Sequence, residues 1–288
     1  MNKCLRVAVH VLLIVTAVAI IAPALLAQSS EPVDLEMITR IRQEGFRNSK
    51  VMETLSELTD SIGARLTGSP NMKKANDWTR DQLARWGLAN AHLEGYKFGR
   101  GWSEEFCSVR MVAPDVVMLN AIPKAWTPGT NGVIRGKAIK IKAEKPEDLE
   151  QYRGKLAGRI VLLGDVRESR PESEPAFTRF TDKQLDEIYD YPAPPEAFAG
   201  RYTPEYIAQR YRMRKVISEF MAQEKVAAVI EPSHFGDGVL TMSGTSAWKP
   251  DEPIGVSMLD MAVEHYGRIS RLLERKLDVE LELDVRTR

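Results

Sequence analysis

Residues 158–164 read Gly-Arg-Ile-Val-Leu-Leu-Gly, a run of four large apolar side chains between glycines. A short continuous apolar run of this kind predicts a strand that is buried on both faces. A second such run, Val226 to Ile230, follows directly on a predicted helix that begins at Thr203-Pro204, where the threonine can cap and the proline fits the first turn. We therefore expect buried strands with a flanking helix in this part of the chain.

The last thirty residues continue this pattern. Apolar residues from Leu259 to Leu273 recur at helical spacing, and Leu277 to Val285 then alternate strictly with acidic residues. Alternation with period two predicts a strand with one buried and one solvated face. The acidic row consists of Asp278, Glu280, Glu282 and Asp284. We interpret it as the solvated face of the strand, not as a catalytic set.

The N-terminal half begins with helices. Residues 34–60 show two short amphipathic helical patterns, and a third helix is predicted from Pro70, capped by Ser69, to Gly87. Residues 91–119 change to short β-like runs, and prolines and glycines cluster from Pro123 to Gly136. We expect a domain boundary near residue 121, and we expect the Pro-rich residues 165–201 to form an excursion around one helical piece at 182–188.

Residues 1–27 predict a cleaved secretory signal peptide. Lys3 and Arg6 precede an apolar run from Val11 to Ala22. The alternative is a membrane anchor, but this run is shorter than the roughly 20 apolar residues that cross a bilayer. We expect export to the periplasm or the medium, with no stable membrane anchor after cleavage. Cys4 leaves with the leader, so Cys107 has no partner for an intrachain disulfide and is expected to be a buried small apolar side chain.

The composition is that of a globular protein without a strong overall charge. The 288 residues are 43% apolar and 28% charged, with 40 Lys and Arg against 40 Asp and Glu. A formal net charge of zero provides no field that would draw the chain to nucleic acid. We therefore exclude a dedicated nucleic-acid binder.

The sequence shows no recognisable pattern of metal ligands. After the leader the chain has three histidines, His92, His234 and His265, and none stands in an H-x-D or H-E-x-x-H arrangement. A zinc site needs three or more ligands at matched spacing. We expect each histidine to be a surface or capping residue, and we assign no metal ligand in this chain.

Other catalytic patterns are equally weak. Glu104 and Glu105 are neighbours in a predicted strand and point to opposite faces unless a bulge intervenes. Residues 244–247, Gly-Thr-Ser-Ala, superficially resemble the serine environment of subtilisin-like proteases but lack a matching histidine, so we expect a plain loop. Trp102, Trp126 and Trp248 could stack on a ligand, although packing at the edge of the core is the simpler expectation. We assign no catalytic and no cofactor-binding residue.

Two stretches carry a resemblance to a known family. Residues 61–70, Ser-Ile-Gly-Ala-Arg-Leu-Thr-Gly-Ser-Pro, together with the helix that follows, resemble the N-terminal region of secreted zinc exopeptidases of the plasma glutamate carboxypeptidase (carboxypeptidase Q) and aminopeptidase type. Residues 152–163 and 226–230 resemble the protease-associated (PA) domain that those enzymes carry as an insertion. The resemblance covers nearly all of residues 34–288.

The resemblance implies an α+β fold in two parts. Residues 34–120 would be the incomplete lead-in of a zinc peptidase domain, and residues 121–285 a β-rich PA domain with flanking helices. In that family the zinc ligands come after the inserted domain, and this sequence ends before them, so no catalytic residue is carried over.

Two functional interpretations follow. The first is the front part of an exported zinc-dependent exopeptidase, which would act on peptides only with a downstream region or a separate catalytic chain. The second is a stand-alone exported PA-domain protein that binds proteins or peptides without chemistry, as a monomer or homo-oligomer. In the first, helices 34–60 and 70–87 present apolar faces that sheet strands outside this sequence would cover.

Overall fold

The computed structural model describes residues 33–167, 179–189 and 203–288. The chain divides into two compact units, residues 1–61 and residues 62–288. The predicted signal peptide and most of the excursion at 165–201 lie outside the described residues. Within those ranges, no helix combines the length and the apolar character needed to cross a membrane.

The described part of the first unit, from residue 33 onward, contains two α-helices, as predicted for residues 34–60. Helix α1 spans Leu35–Arg47 and is capped by Asp34, whose side chain accepts a hydrogen bond from the Met37 amide at 2.9 Å. Helix α2 spans Val51–Ser56 and continues into a π-helical turn, Glu57–Ile62. Neither α1 nor α2 buries a single residue, so their apolar side chains face solvent.

The second unit opens with helix α3, Pro70–Arg85. The Ser69 hydroxyl accepts a hydrogen bond from the Met72 amide at 3.1 Å, and Pro70 occupies the first turn. Gly87 adopts a φ of 87° just beyond the helix, where an L side chain would be strained. The prediction of this helix and of both its ends is confirmed.

Eight strands form one strongly curved sheet in the order β2-β1-β8-β4-β5-β6-β7-β3. The strands are β1 Glu104–Ala113, β2 Val117–Leu119, β3 Ala121–Pro123, β4 Ile134–Ile141, β5 Ile160–Leu163, β6 Ala228–Pro232, β7 Met258–Met261 and β8 Glu280–Thr287. Strands β4 to β7 run parallel to one another, whereas the pairs β1/β2, β1/β8, β4/β8 and β3/β7 are antiparallel. The two edge strands, β2 and β3, are separated only by Asn120, so the sheet closes on itself around its core.

The described residues also form helix α4 Asp182–Tyr189, helix α5 Pro204–Gln223, helix α6 Val263–Glu274 and a 3-10 helix at Pro146–Tyr152. Helix α5 and the 3-10 helix pack on the outer face of the sheet, whereas Tyr266 and Ile269 of α6 join the core on the inner face. Residues 182–188 of α4 are exposed. All four residues of β5 are buried because alternate side chains enter two cores. Ile160 and Leu162 point into the closed sheet, while Val161 and Leu163 pack with Phe220 of α5. This arrangement confirms the buried strands predicted at 160–163 and 226–230 and the α+β class.

The sheet runs across the boundary that the sequence places near residue 121. Strand β1 pairs with β8 along most of its length, and β2 pairs with β1. Val109, Met111 and Leu119 are at most 6% exposed and join the same core as Leu281 and Leu283. Residues 121–285, which the sequence assigns to a separate domain, therefore share their sheet and core with strands from residues 104–119.

A second correction concerns residues 258–262. The sequence places Leu259 at the start of the last helix, but Met258–Met261 is strand β7 and α6 begins at Val263. Apolar residues of a short buried strand give the same composition as the first turn of a buried helix. Pairing with β6 and β3 decides between the two, and this information is not local.

Candidate functional site

A cavity of about 350 Å³ lies beside helix α5 in the second unit. Its other walls come from residues 124–127, from the ends of β5 to β7 and from the segment 243–256. Apolar side chains, among them Leu163, Ile217, Met221, Val256 and Met258, line it together with polar and charged ones. Its volume lies at the lower end of the range for small-molecule sites, about 300–1,000 Å³. The cavity can thus hold a compact ligand that has both an apolar and a polar part.

One wall of the cavity carries a buried ionic cluster, Lys124, Glu231 and Asp260. The Lys124 ammonium forms a short ion pair with Glu231 Oε2 and lies 3.4 Å from Asp260 Oδ1. Asp260 Oδ2 accepts hydrogen bonds from the Ser243 hydroxyl at 2.6 Å and from the Ser243 amide at 3.1 Å. Lys124 is 7% exposed and Asp260 is 5% exposed. Charges this deeply buried require partners, and each of these has one.

Strand register brings the ionic cluster together. Glu231 of β6 lies directly opposite Asp260 of β7 in the parallel pair, and Ile122 of β3 lies opposite Asp260 on the other side. Lys124 follows β3 immediately, so its side chain can reach both carboxylates. Sequence reasoning missed these three residues because β3 and β7 were not predicted. The only local signal is Lys124 directly after Pro123, and a lysine in such a position is too common to predict a buried ionic cluster.

Glu231 and Lys124 of the cluster both line the cavity, and Glu231 is the more exposed of the two. Its side chain is 30% exposed, against 7% for that of Asp260. Its Oε1 accepts no hydrogen bond from any residue in the described ranges. Glu231 and Asp165 also help to raise the pKa of the Tyr266 hydroxyl, although burial is the larger cause. That hydroxyl donates to the Gly164 carbonyl at 2.8 Å.

Aromatic side chains build the rim of the cavity. Trp126 and Trp248 line it, and Phe98 stacks on Trp248 with ring centroids 5.2 Å apart and packs against Trp126 at 6.0 Å. The Lys249 ammonium lies 5.6 Å from the centre of the Trp248 ring. Because Phe98 packs against both indole rings and Lys249 lies near the Trp248 ring, we interpret both tryptophans as walls of the cavity and not as stacking platforms for a ligand. Trp102 is buried away from the cavity, and its indole N–H donates to the Thr127 carbonyl at 2.9 Å.

Arg100 forms hydrogen bonds that hold residues 247–252 at the rim of the cavity. Its guanidinium donates to the carbonyls of Ala247, Pro250 and Glu252 at 2.6–2.8 Å, and its own amide donates to the Trp248 carbonyl at 2.8 Å. Four bonds from one residue fix the course of residues 247–252. The rim is therefore preformed.

The predicted histidines lie apart from one another. His92 is exposed, and hydrogen bonds to the Asn90 carbonyl and to Glu94 raise its pKa. His234 contacts Arg167 at 2.6 Å, and His265 Nδ1 accepts from the Asn120 amide at 2.8 Å. Over the ranges that the structure describes, no three His, Cys, Asp or Glu side chains are grouped so that they could hold a metal ion.

Four of the carboxylates considered as catalytic candidates, Glu105, Asp278, Glu282 and Asp284, form ion pairs, whereas burial raises the pKa of Glu104. Glu105 pairs with Arg288 at 3.3 Å, and a register shift separates Glu104 from Phe106 in β1, which is the bulge that the sequence left open. On β8, Leu281, Leu283 and Val285 are buried and the acidic row lies on the other face, but that face is less solvated than predicted, since the Glu282 and Asp284 side chains are only 12% and 13% exposed. Glu282 of that row binds Arg135 and Arg110, and these hydrogen bonds lower the pKa of its carboxyl.

The remaining candidates do not form a nucleophilic site. Ser246 begins a single 3-10 turn, Ser246–Trp248, capped by Thr245, which confirms a loop at 244–247. Cys107 is half-buried, and burial, with smaller contributions from Glu104 and Asp284, raises its pKa to about 12. Its thiol therefore stays protonated at neutral pH.

Comparison with known proteins gives a likeness of fold only. No protein-family model and no curated protein match the sequence. A crystal structure of a peptidase M28 precursor from Shewanella amazonensis SB2B aligns over 88% of this chain and 50% of its own, with 15% identity and a TM-score of 0.51. The aminopeptidase from Aneurinibacillus sp. strain AM-1 has 14% identity over 82% of this chain and 43% of its own, with a TM-score of 0.42. BSAP, a zinc aminopeptidase from Bacillus subtilis, has 13% identity over 82% and 42%, with a TM-score of 0.47.

The first of these structures shares its fold with this chain. The chain spans about half the length of that structure. Function does not follow from a shared fold at this level of identity.

Proposed function

We propose that this chain is the N-terminal portion of an exported zinc-dependent exopeptidase that hydrolyses peptide bonds. The observation that carries the proposal is the likeness in fold to the peptidase M28 precursor over 88% of this chain, in half of that protein's length. It agrees with the sequence resemblance to carboxypeptidase Q-type and aminopeptidase-type enzymes. In this proposal residues 1–27 direct export, residues 34–120 include the lead-in of the peptidase domain, and the sheet from β3 onward is the PA domain, to which β1 and β2 are added.

The exposed apolar surface of the first unit supports the proposal. Leu35, Ile41 and Phe46 of α1 are 63–83% exposed, and Val51 and Met52 of α2 are 64% and 70% exposed. Side chains of this size on an amphipathic helix are normally covered by another element. A peptidase domain completed by further sequence, or by a separate catalytic chain, would supply that cover.

Zinc does not fit the residues that the structure describes. A hydrolytic zinc ion is held by three protein ligands, and the described ranges bring no three such side chains together. We derive no catalytic step through zinc in this chain. In the proposal, the ligands and the zinc belong to the catalytic region of the complete enzyme, which binds the peptide substrate.

The cavity favours a second candidate function. Its preformed rim and buried ionic wall are features of a binding site that needs no catalytic partner. On this alternative the chain is an exported, non-catalytic PA-domain protein that binds peptides or proteins. The two candidates differ in whether a catalytic region accompanies the chain.

The intact mass and zinc content of the product purified from its own cells test the proposal. A zinc-containing product with roughly 200 residues more than this chain, and with aminopeptidase activity on leucine p-nitroanilide, is the expected result. A zinc-free product that ends at Arg288, and that gains no activity with any co-purifying chain, would refute the peptidase proposal. It would leave the binding protein as the function.

A further inference from the structure

The charges around the cavity are unbalanced at its buried wall. Lys124 supplies one positive charge, and Glu231 and Asp260 supply two negative ones, so this cluster carries a net charge of −1. The opposite wall is balanced. Lys215 pairs with Glu252 at 3.4 Å, and Arg214 and Glu219 of α5 carry one charge of each sign.

The excess negative charge is accessible from the cavity at one atom. Asp260 is turned away into its bonds with Ser243, and Lys124 occupies Glu231 Oε2. Glu231 Oε1 is left without a donor among the described residues and belongs to a side chain that lines the cavity. A partly desolvated carboxylate oxygen of this kind is complementary to a cationic hydrogen-bond donor.

The other walls of the cavity determine which kind of cationic ligand fits beside Glu231. Beside Glu231, apolar side chains of α5, β5 and the segment at 256–258 line one part of the cavity, whereas the charged residues of the opposite wall balance one another. A metal dication finds only one carboxylate oxygen on this wall that is left without a donor among the described residues, with the Lys124 ammonium beside it to repel it. An anion is repelled by this wall, and the two-oxygen pairing that a guanidinium prefers is blocked because Lys124 occupies Glu231 Oε2. A primary ammonium group on a compact apolar body satisfies both the charge and the shape.

We propose that this cavity binds apolar primary amines, of which the amino-terminal residue of a peptide is one example, with the ammonium group on Glu231 Oε1 and the apolar side chain among Leu163, Met221 and Met258. The site is separate from any zinc centre and involves no bond making or breaking. It goes beyond the proposed function and holds whether or not the chain belongs to a peptidase.

The test compares two ligands that differ only in the amine. Phenylalaninamide and 3-phenylpropanamide share ring, chain and amide, and only the first has the ammonium group at a pH of about 6.5, below the usual range of α-amino pKa values. Binding to the full chain is followed by titration, with the indole N–H resonances of Trp126 and Trp248 as reporters of the location. We expect phenylalaninamide to bind at least about tenfold more tightly, the ratio that one hydrogen bond to a charged group provides.

Substitutions at two carboxylates that line the cavity test whether the ammonium group binds to Glu231. Glu231→Gln keeps the shape and is expected to reduce the tenfold preference to below about threefold. Glu219→Gln, on the opposite wall, is the matched control and is expected to retain the preference.

Several outcomes would overturn the proposal. They are equal affinity for the two ligands, binding of neither, movement of neither indole resonance, and a preference that survives Glu231→Gln but is lost in Glu219→Gln. If Glu231→Gln does not fold, the comparison of ligands on the unaltered chain, with the indole resonances, decides the matter alone.

Discussion

Replacing Lys124 by methionine tests whether the buried ionic cluster holds the sheet edge together. The substitution keeps the approximate length of the side chain and removes its charge. Glu231 then loses its only hydrogen-bond donor among the described residues, and Asp260 keeps only Ser243. With Lys124 at 7% and Asp260 at 5% exposed, water cannot replace the missing cation at Asp260.

The expected loss follows from this geometry. Removing one partner of a buried ion pair costs about 3–5 kcal/mol. Because Ser243 still provides two hydrogen bonds to Asp260 and Glu231 is partly exposed, we expect the lower end, about 3 kcal/mol. For a folded unit of this size, each kcal/mol lowers the melting temperature by about 2–4 °C, so the expected decrease is roughly 6–12 °C.

The assay is thermal and urea unfolding of the variant beside a matched control. Lys137→Met removes the same group from an exposed pair, since the Lys137 and Asp278 side chains are 55% and 83% exposed, and should leave stability nearly unchanged. Adding Asp260→Asn to Lys124→Met should restore part of the loss, because it removes one uncompensated charge. A Lys124→Met variant as stable as Lys137→Met would refute the reasoning.

Four further experiments probe other contacts. Gly244→Ala should displace the Trp126 ring, because a Cβ there would lie 2.7 Å from a ring carbon, and the change should appear in tryptophan fluorescence and a lower melting temperature. Tyr266→Phe should cost about 1–3 kcal/mol in urea unfolding because the buried Gly164 carbonyl loses its donor. Since burial raises the Tyr266 pKa, the native chain should lose stability as pH rises above about 10, where the unfolded tyrosine ionises and the folded one does not. Cys107, with a pKa of about 12, should react with iodoacetamide at a pH of about 8 at least about a hundredfold more slowly than in the unfolded chain.

Each of these expectations has its own control and contrary result. Gly45→Ala, where a new Cβ meets nothing within 4 Å, should not destabilise the chain, and equal losses in Gly45→Ala and Gly244→Ala would remove the steric explanation. Unchanged stability of Tyr266→Phe would mean that water replaces the hydroxyl at the Gly164 carbonyl. Native alkylation of Cys107 as fast as in urea would show that its thiol is not shielded.

Local sequence was enough to predict those helices and strands that are specified by a cap or by a clear hydrophobic pattern. The cap at Ser69 and the proline after it determine where α3 begins, because both act within one helical turn. The alternation in β8 and the continuous apolar run in β5 report how many faces of each strand are buried. The amphipathic pattern of residues 35–47 likewise predicted helix α1, whose apolar side chains are exposed.

The sequence by itself therefore determined the α+β class and most helices and strands. Only the tertiary structure decided that β1 belongs with β8, that residues 258–261 form a strand, and that Lys124, Glu231 and Asp260 meet at one wall of a cavity. The physical reason is that helix caps and strand alternation arise from neighbours in the chain, whereas the ionic cluster arises from strand register. Lys124 and Glu231 are 107 residues apart in the chain, and only the pairing of β3, β6 and β7 brings the charges of the cluster into contact.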